Sequence, residues 1–281
     1  MRPIDKSSIT VYTVNIQLKR RIKMKEVLKV EGLTKSFKLS KKQQKLENTD
    51  TKIKTAVNGL SFSAFEGEIF GLLGPNGAGK TTTLRMLATL IKPDRGDAFI
   101  NGTSVVKEPE KVREKMGFLT SELKLEEFFT PNFLYDFFSD MHKIPDDVRE
   151  KRKEELFKKF EIDKFAEVKT ANLSTGMKQK TSLVVSVAHD PDIIIFDEPT
   201  NGLDVITAKV VTDFLLELKA QGKTIIVSTH IFSLVEKICD RAGIIIDGEM
   251  ILCDRIDSLT KEKNLEDLFF ELYFQRKGGD I

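Results

Sequence analysis

The chain brings almost no net charge to a partner. Its 45 Lys and Arg stand against 43 Asp and Glu, a formal +2 over 281 residues. A protein that binds duplex nucleic acid carries a stronger basic bias or a basic stripe. Nucleic acid is therefore not the expected partner, and the short basic runs KRRIK (19–23) and KKQQK (41–45) read as solvated faces. Cysteine is scarce. Cys239 and Cys253 form no metal-type pair, and two thiols in a chain this long suit a reducing compartment. No apolar run approaches the roughly 18–20 residues that cross a bilayer. IIIF at 193–196 and GIII at 243–246 have only the length of a strand. The N-terminus holds Asp5 and no continuous apolar stretch, so a secretory leader is not expected. No internal repeat is visible. These absences point to the cytoplasm, with any membrane attachment made through a partner.

What is present is the balance of a soluble globular protein, 40% hydrophobic and 31% charged, in a length that suits one large domain or one domain with an inserted lobe. Residues 1–23 alternate weakly and then turn basic. They read as a disordered arm or as leader translated ahead of a true start at Met24, with an extra strand as the third option. Residues 38–55 are polar and rich in Lys and Gln, the composition of a mobile loop. EIFGLL (68–73) is a buried-strand run ended by glycine, followed by a helix over about 79–91 that Lys92-Pro93 closes. DAFIN (97–101) and MGFL (116–119) read as strands. Thr130-Pro131 is a helix start, and Phe133, Leu134, Phe137, Phe138 and Met141 follow at helical spacing as a core-facing stripe. A second, charged helix covers about 146–160. DIIIFD (192–197), KTIIVS (223–228) and AGIIID (242–247) then read as buried parallel strands with helices between them. The expectation is an α/β core with a helical lobe inserted at about 125–190.

Three motifs carry chemistry. GPNGAGKT (74–81) matches G-x-x-x-x-G-K-[ST] directly after a strand and opens a helix, the context the motif requires. Its glycines let the backbone curl so that successive N–H groups face one anion, and the helix N-terminus adds its positive end. Lys80 is placed for the β- and γ-phosphates and Thr81 for Mg²⁺. IIIFDE (193–198) is an apolar strand ending in two acids, where α/β folds bind ligands. Asp197 suits the water shell of Mg²⁺, and Glu198 suits polarising the water that attacks the γ-phosphate. STH (228–230) closes the next strand and brings His230 to the same edge as a γ-phosphate contact.

Taken in order, GPNGAGKTT, LSTGM (173–177), IIIFDEPTNGLD and the histidine of VSTH resemble the ATP-binding subunits of ABC transporters, over about residues 26–247. The resemblance implies a RecA-like P-loop NTPase core with an N-terminal antiparallel β-subdomain and an inserted α-helical lobe. It implies ATP and Mg²⁺ as ligands, with Gly74, Pro75, Asn76, Gly77, Ala78, Gly79, Lys80, Thr81 and Thr82 around the phosphates. It also implies a head-to-tail dimer that sandwiches two ATP molecules. In that arrangement Leu173, Ser174, Thr175 and Gly176 form the signature that completes the partner's site. Ser174 precedes an apolar helix and is a good cap, so the signature is itself an anion-binding helix end. Phe37 resembles the aromatic that stacks on adenine, and Asp204 the loop acid that links the two sites.

The implied organisation is an N-terminal extension (1–25), the ATPase domain (26–255) and a short helical tail (256–281). The implied function is to power a separate membrane permease from the inner face of the cell membrane. GFLTSELKL, FTPNFLYDFF and NLEDLFFEL look similar to sodium-extrusion and drug-export subunits, which points to export. A soluble ABC ATPase acting as an assembly or regulatory module is the rival class. The sequence departs from the family at Thr175 and Met177, where glycine and glutamine are usual. It departs again at Ser121, where a glutamine normally reaches toward the metal, leaving a bridging water, substitution by Glu122 or no contact.

Overall fold

A computed structural model describes residues 25–46, 49–120 and 125–278. The extension 1–23 and the Ser121–Glu122 departure lie outside them. Among the described residues the strands form two sheets. The larger has the order β10-β9-β3-β8-β7-β6, built from β3 (Ile69–Leu73), β6 (Met116–Thr120), β7 (Ile193–Asp197), β8 (Thr224–Thr229), β9 (Arg241–Ile246) and β10 (Glu249–Arg255). Neighbouring strands from β9 to β6 run parallel, and β10 closes the edge antiparallel to β9. Both faces are covered, which is why these strands read as unbroken apolar runs. One face packs on α2 (Lys80–Leu87) and the smaller sheet, through Leu72, Leu84, Ile195 and Ile226. The other packs on α6 (Thr175–Ser186), α7 (Val205–Ala220) and α8 (Phe232–Ile238), through Leu183, Phe196, Leu215 and Val235.

The smaller sheet is antiparallel, β2-β1-β4-β5, from β1 (Glu26–Lys38), β2 (Ile53–Phe65), β4 (Arg95–Ile100) and β5 (Thr103–Ser104). Its hairpin corrects the reading of 38–55 as loop. Lys38 pairs with Ile53 and Phe37 with Lys54, and the Leu39 N–H donates to Lys52 O at 2.9 Å. A short helix, α1 (Lys41–Leu46), sits at the tip. Backbone pairing holds these residues in a ladder although residues 53–55 are exposed on both faces, so no apolar alternation marked them. α2 is also shorter than 79–91. The N–H groups of Leu90 and Ile91 both turn back to Arg85 O, at 2.9 and 3.2 Å, and end it.

Between β6 and β7 the described residues carry helices and no strand. α3 (Pro109–Arg113) precedes β6, and α4 (Pro131–Met141) and α5 (Asp146–Phe160) follow it. Thr130 caps α4, its Oγ1 accepting the Phe133 N–H at 3.2 Å. The expected aromatic stripe is corrected here. Leu134 and Tyr135 are buried, while Phe133 and Phe137 remain 45% and 47% exposed. Tyr135 takes the inner position edge-on to Phe157, and burial pushes its phenol pKa up. α9 (Ile256–Leu259) and α10 (Leu265–Lys277) end the described chain. α10 rests on α8 through Phe269 and Phe232, whose ring centroids are 5.2 Å apart. No helix among the described residues is long and apolar enough to cross a membrane.

Candidate active site: a phosphate-binding cleft

Parallel register brings the three motifs to one edge. Leu73, the last residue of β3, pairs with Thr229 of β8, and Asp197 of β7 pairs with Ser228. The loop after β3, the two acids after β7 and His230 after β8 therefore leave the sheet side by side. Before α2 the chain turns too tightly for side chains. Gly79 has φ +104°, and a Cβ there would lie 2.3 Å from Ala56 O. A Cβ on Gly74 would lie 2.3 Å from Ile245 O. α2 opens at Gly79 without a side-chain cap, so its first-turn amides are available to an anion.

A cleft of about 370 Å³ opens here, lined by Pro75, Asn76, Gly77, Gly79, Lys80, Thr81 and Thr82 of the loop and helix start, with Glu198 and Asn201 opposite. Gly74 and Ala78 are buried behind it. Lys80 is 5% exposed. Its ammonium donates to Gly74 O at 2.7 Å and Pro75 O at 3.3 Å, and lies 3.3 Å from Glu198 Oε1. Glu198 Oε2 is 3.0 Å from His230 Nδ1. Lys80, Glu198 and His230 thus form a continuous chain. Beside it, the Thr81 hydroxyl donates to Asp197 Oδ1 at 3.1 Å, and Asp197 is 1% exposed. Phe37 stands at the rim, 39% exposed, with Lys35 Nζ 5.8 Å from its ring centre.

The LSTG segment does not line this cleft. Leu173 is buried in the core, so any surface role of that residue falls to its backbone. Ser174 caps α6, its Oγ accepting the Met177 N–H at 3.2 Å. Ser174 and Thr175 are exposed, and nothing lies within 4 Å of a Cβ position on Gly176. Asp204 caps α7, accepting the N–H groups of Ile206 and Thr207 and the Thr207 hydroxyl. Those bonds, the Thr207 hydroxyl first, hold its carboxyl below the usual range.

Sequence reasoning missed three participants. Lys54 and Asn201 line the cleft, and Ser228 bonds Asp197. Lys54 lay in a tract read as loop. Ser228 stood in the STH motif, but its role depends on the β7–β8 register.

The residues of the cleft fit a nucleotide phosphate chain: uncapped helix amides, an enclosed ammonium and a glycine turn admit an anion at close range. Comparison with known proteins agrees. The ABC transporter family model matches residues 57–201. The ATP-binding protein NatA of Bacillus subtilis is 36% identical over 218 residues, covering 77% of this chain and 89% of NatA. The Nod factor export ATP-binding protein I of Burkholderia orbicola is 37% identical over 198 residues, covering 70% of this chain and 65% of that protein. Among solved structures, the dimeric post-hydrolysis state of the ATP-binding cassette MJ0796 bound to ADP and Pi superposes with a TM-score of 0.71 at 27% identity, over 81% of this chain and 98% of the other. The chain belongs to the ABC transporter family, as an ATP-binding and ATP-hydrolysing subunit.

Proposed function

We propose that the subunit binds ATP with Mg²⁺ in this cleft and uses hydrolysis to drive a separate membrane permease that exports ions or small molecules. The observation that carries the reading is the Lys80–Glu198–His230 chain beside the Thr81–Asp197 pair, at the ends of adjacent parallel strands. Phe37 supplies a ring for the base. The amides from Gly74 to Thr82 and the Lys80 ammonium hold the phosphates. Thr81 and Asp197 are hard oxygen donors 3.1 Å apart, a fit for two of the positions around Mg²⁺. Thr81 and Asp197 would hold the metal beside the phosphate chain. When bound, the metal neutralises charge on the transferring phosphoryl group. Glu198 orients the attacking water and takes its proton, and His230 steadies Glu198 from its second oxygen.

The dimeric MJ0796 cassette supports a pair of subunits, and a head-to-tail arrangement would bring Ser174, Thr175 and Gly176 of one to the ATP held by the other. The Nod factor relative, named for export, supports the direction. The permease holds the subunit at the inner face of the membrane.

The test is Glu198→Gln, which removes the carboxylate and leaves the phosphate contacts. It is expected to abolish turnover, retain ATP and run as an ATP-dependent dimer on size exclusion. Hydrolysis at the parent rate would remove Glu198 from the role.

A further inference from the structure

Ser228, one residue before the end of β8, has no exposed surface and stands opposite Asp197 in the β7–β8 register. Its hydroxyl donates to Asp197 Oδ1 at 2.5 Å and accepts the Glu198 N–H at 3.2 Å. Its carbonyl oxygen takes the same N–H at 3.1 Å. One serine therefore holds both acids at once. Glu198 needs such a hold, because its φ of +53° lies in the left-handed region that residues with a Cβ seldom adopt. The surrounding contacts have to fix that turn for the carboxylate to reach Lys80 and His230. Asp197 Oδ1 already receives two hydroxyls, from Thr81 and Ser228, so Oδ2 is the oxygen left for a cation.

We propose that Ser228 is a positioning residue for the reaction, one that sets how the Asp197 carboxylate meets Mg²⁺ and locks the strained turn that aims Glu198. The inference rests on the reading of Asp197 as a metal residue. A hydroxyl is required because it donates and accepts at the same moment. Alanine does neither, and the cysteine thiol is a weak donor of nearly the same shape.

The experiment is a Mg²⁺ titration of binding. The affinity of the full-length chain for a non-hydrolysable ATP analogue is measured by calorimetry in EDTA and at rising Mg²⁺. The chains compared are the parent, Ser228→Ala, Ser228→Cys and Asp197→Asn, with folding followed by thermal melts. Removing an outer-shell partner of a metal ligand weakens metal affinity by about 10–100-fold. Both serine variants are therefore expected to need about tenfold more Mg²⁺ or higher, with analogue affinity in EDTA unchanged. At saturating Mg²⁺ they should show a lower kcat and an unchanged KM for ATP, which a general loss of packing would not produce. If the alanine variant does not fold, the cysteine variant decides alone. Parent-like Mg²⁺ dependence in the serine variants, beside a shifted Asp197→Asn, overturns the role of Ser228 and leaves the metal reading standing. A parent without Mg²⁺ dependence, or an Asp197→Asn that titrates like it, overturns both.

Discussion

At the scale of single residues, Lys80 is the most enclosed cation of the cleft. Its three contacts are two carbonyl oxygens of its own loop and the Glu198 carboxylate. A phosphate oxygen offers the ammonium a stronger, charge-assisted partner within the same reach. Lys80→Ala is expected to weaken ATP binding by about 1.5–3 kcal/mol, roughly 10–150-fold, by calorimetry. Unchanged affinity would contradict the phosphate-loop reading. Residues of this kind were legible because their chemistry lies in consecutive positions: GPNGAGKT states the turn, the helix start and the ammonium within eight residues. Ser228 was not legible in the same way. That it faces Asp197, and not Ile195 or Phe196, follows from the β7–β8 register, which strand spacing in the sequence leaves open.

At the scale of elements, α4 shows how period and burial part company. Thr130-Pro131 marked its start and cap and the 3.6-residue spacing marked it as a helix, but of the expected stripe only Leu134 is fully buried, and Tyr135 joins it on the inner face. Phe133 and Phe137 sit outward instead. Phe129 stacks on Phe133 with centroids 4.4 Å apart, and Phe133 lies 6.0 Å from Phe137. Phe128 ahead of them is 77% exposed. An aromatic row standing in solvent is the kind of surface a protein partner covers. Its start is tied to the signature region, because the Thr170 N–H donates to Phe129 O at 2.8 Å, shortly before Ser174. Phe129→Ala is expected to leave nucleotide affinity of the isolated subunit within about twofold, as for a surface substitution. It is expected to weaken co-purification with the permease and to impair transport. A variant that associates and transports normally would show that Phe129 takes no part in meeting the permease. The β1–β2 hairpin teaches the same lesson from the other side. Its arms near the tip carry no apolar pattern to read, and their backbone pairing runs on to Lys38 and Ile53.

At the scale of the whole molecule, the parallel sheet explains why Lys80, Thr81, Asp197, Glu198 and His230 gather at one edge. Its buried strands were visible in the sequence as apolar runs, and their order follows from pairing that no single run reveals. The segment that resembles the signature lies outside the cleft: Ser174 and Thr175 stand exposed at a helix start beside half-buried Gly176, and no ATP bound in the same subunit's cleft requires them. A two-fold pair of subunits gives the segment a phosphate to meet, twice over. This is the central claim, and complementation between two defective subunits tests it directly. Lys80→Ala subunits are mixed with Ser174→Arg subunits, and nucleotide retained at a dimer interface is measured. In a mixed dimer, the intact loop of the Ser174→Arg subunit faces the intact signature of the Lys80→Ala subunit, so one whole site forms and the other carries both defects. Retention is predicted to reappear in the mixture and to be absent from either variant alone. Ser174→Arg that by itself binds and hydrolyses ATP at the parent rate would show that each chain is a complete site, and would contradict the account.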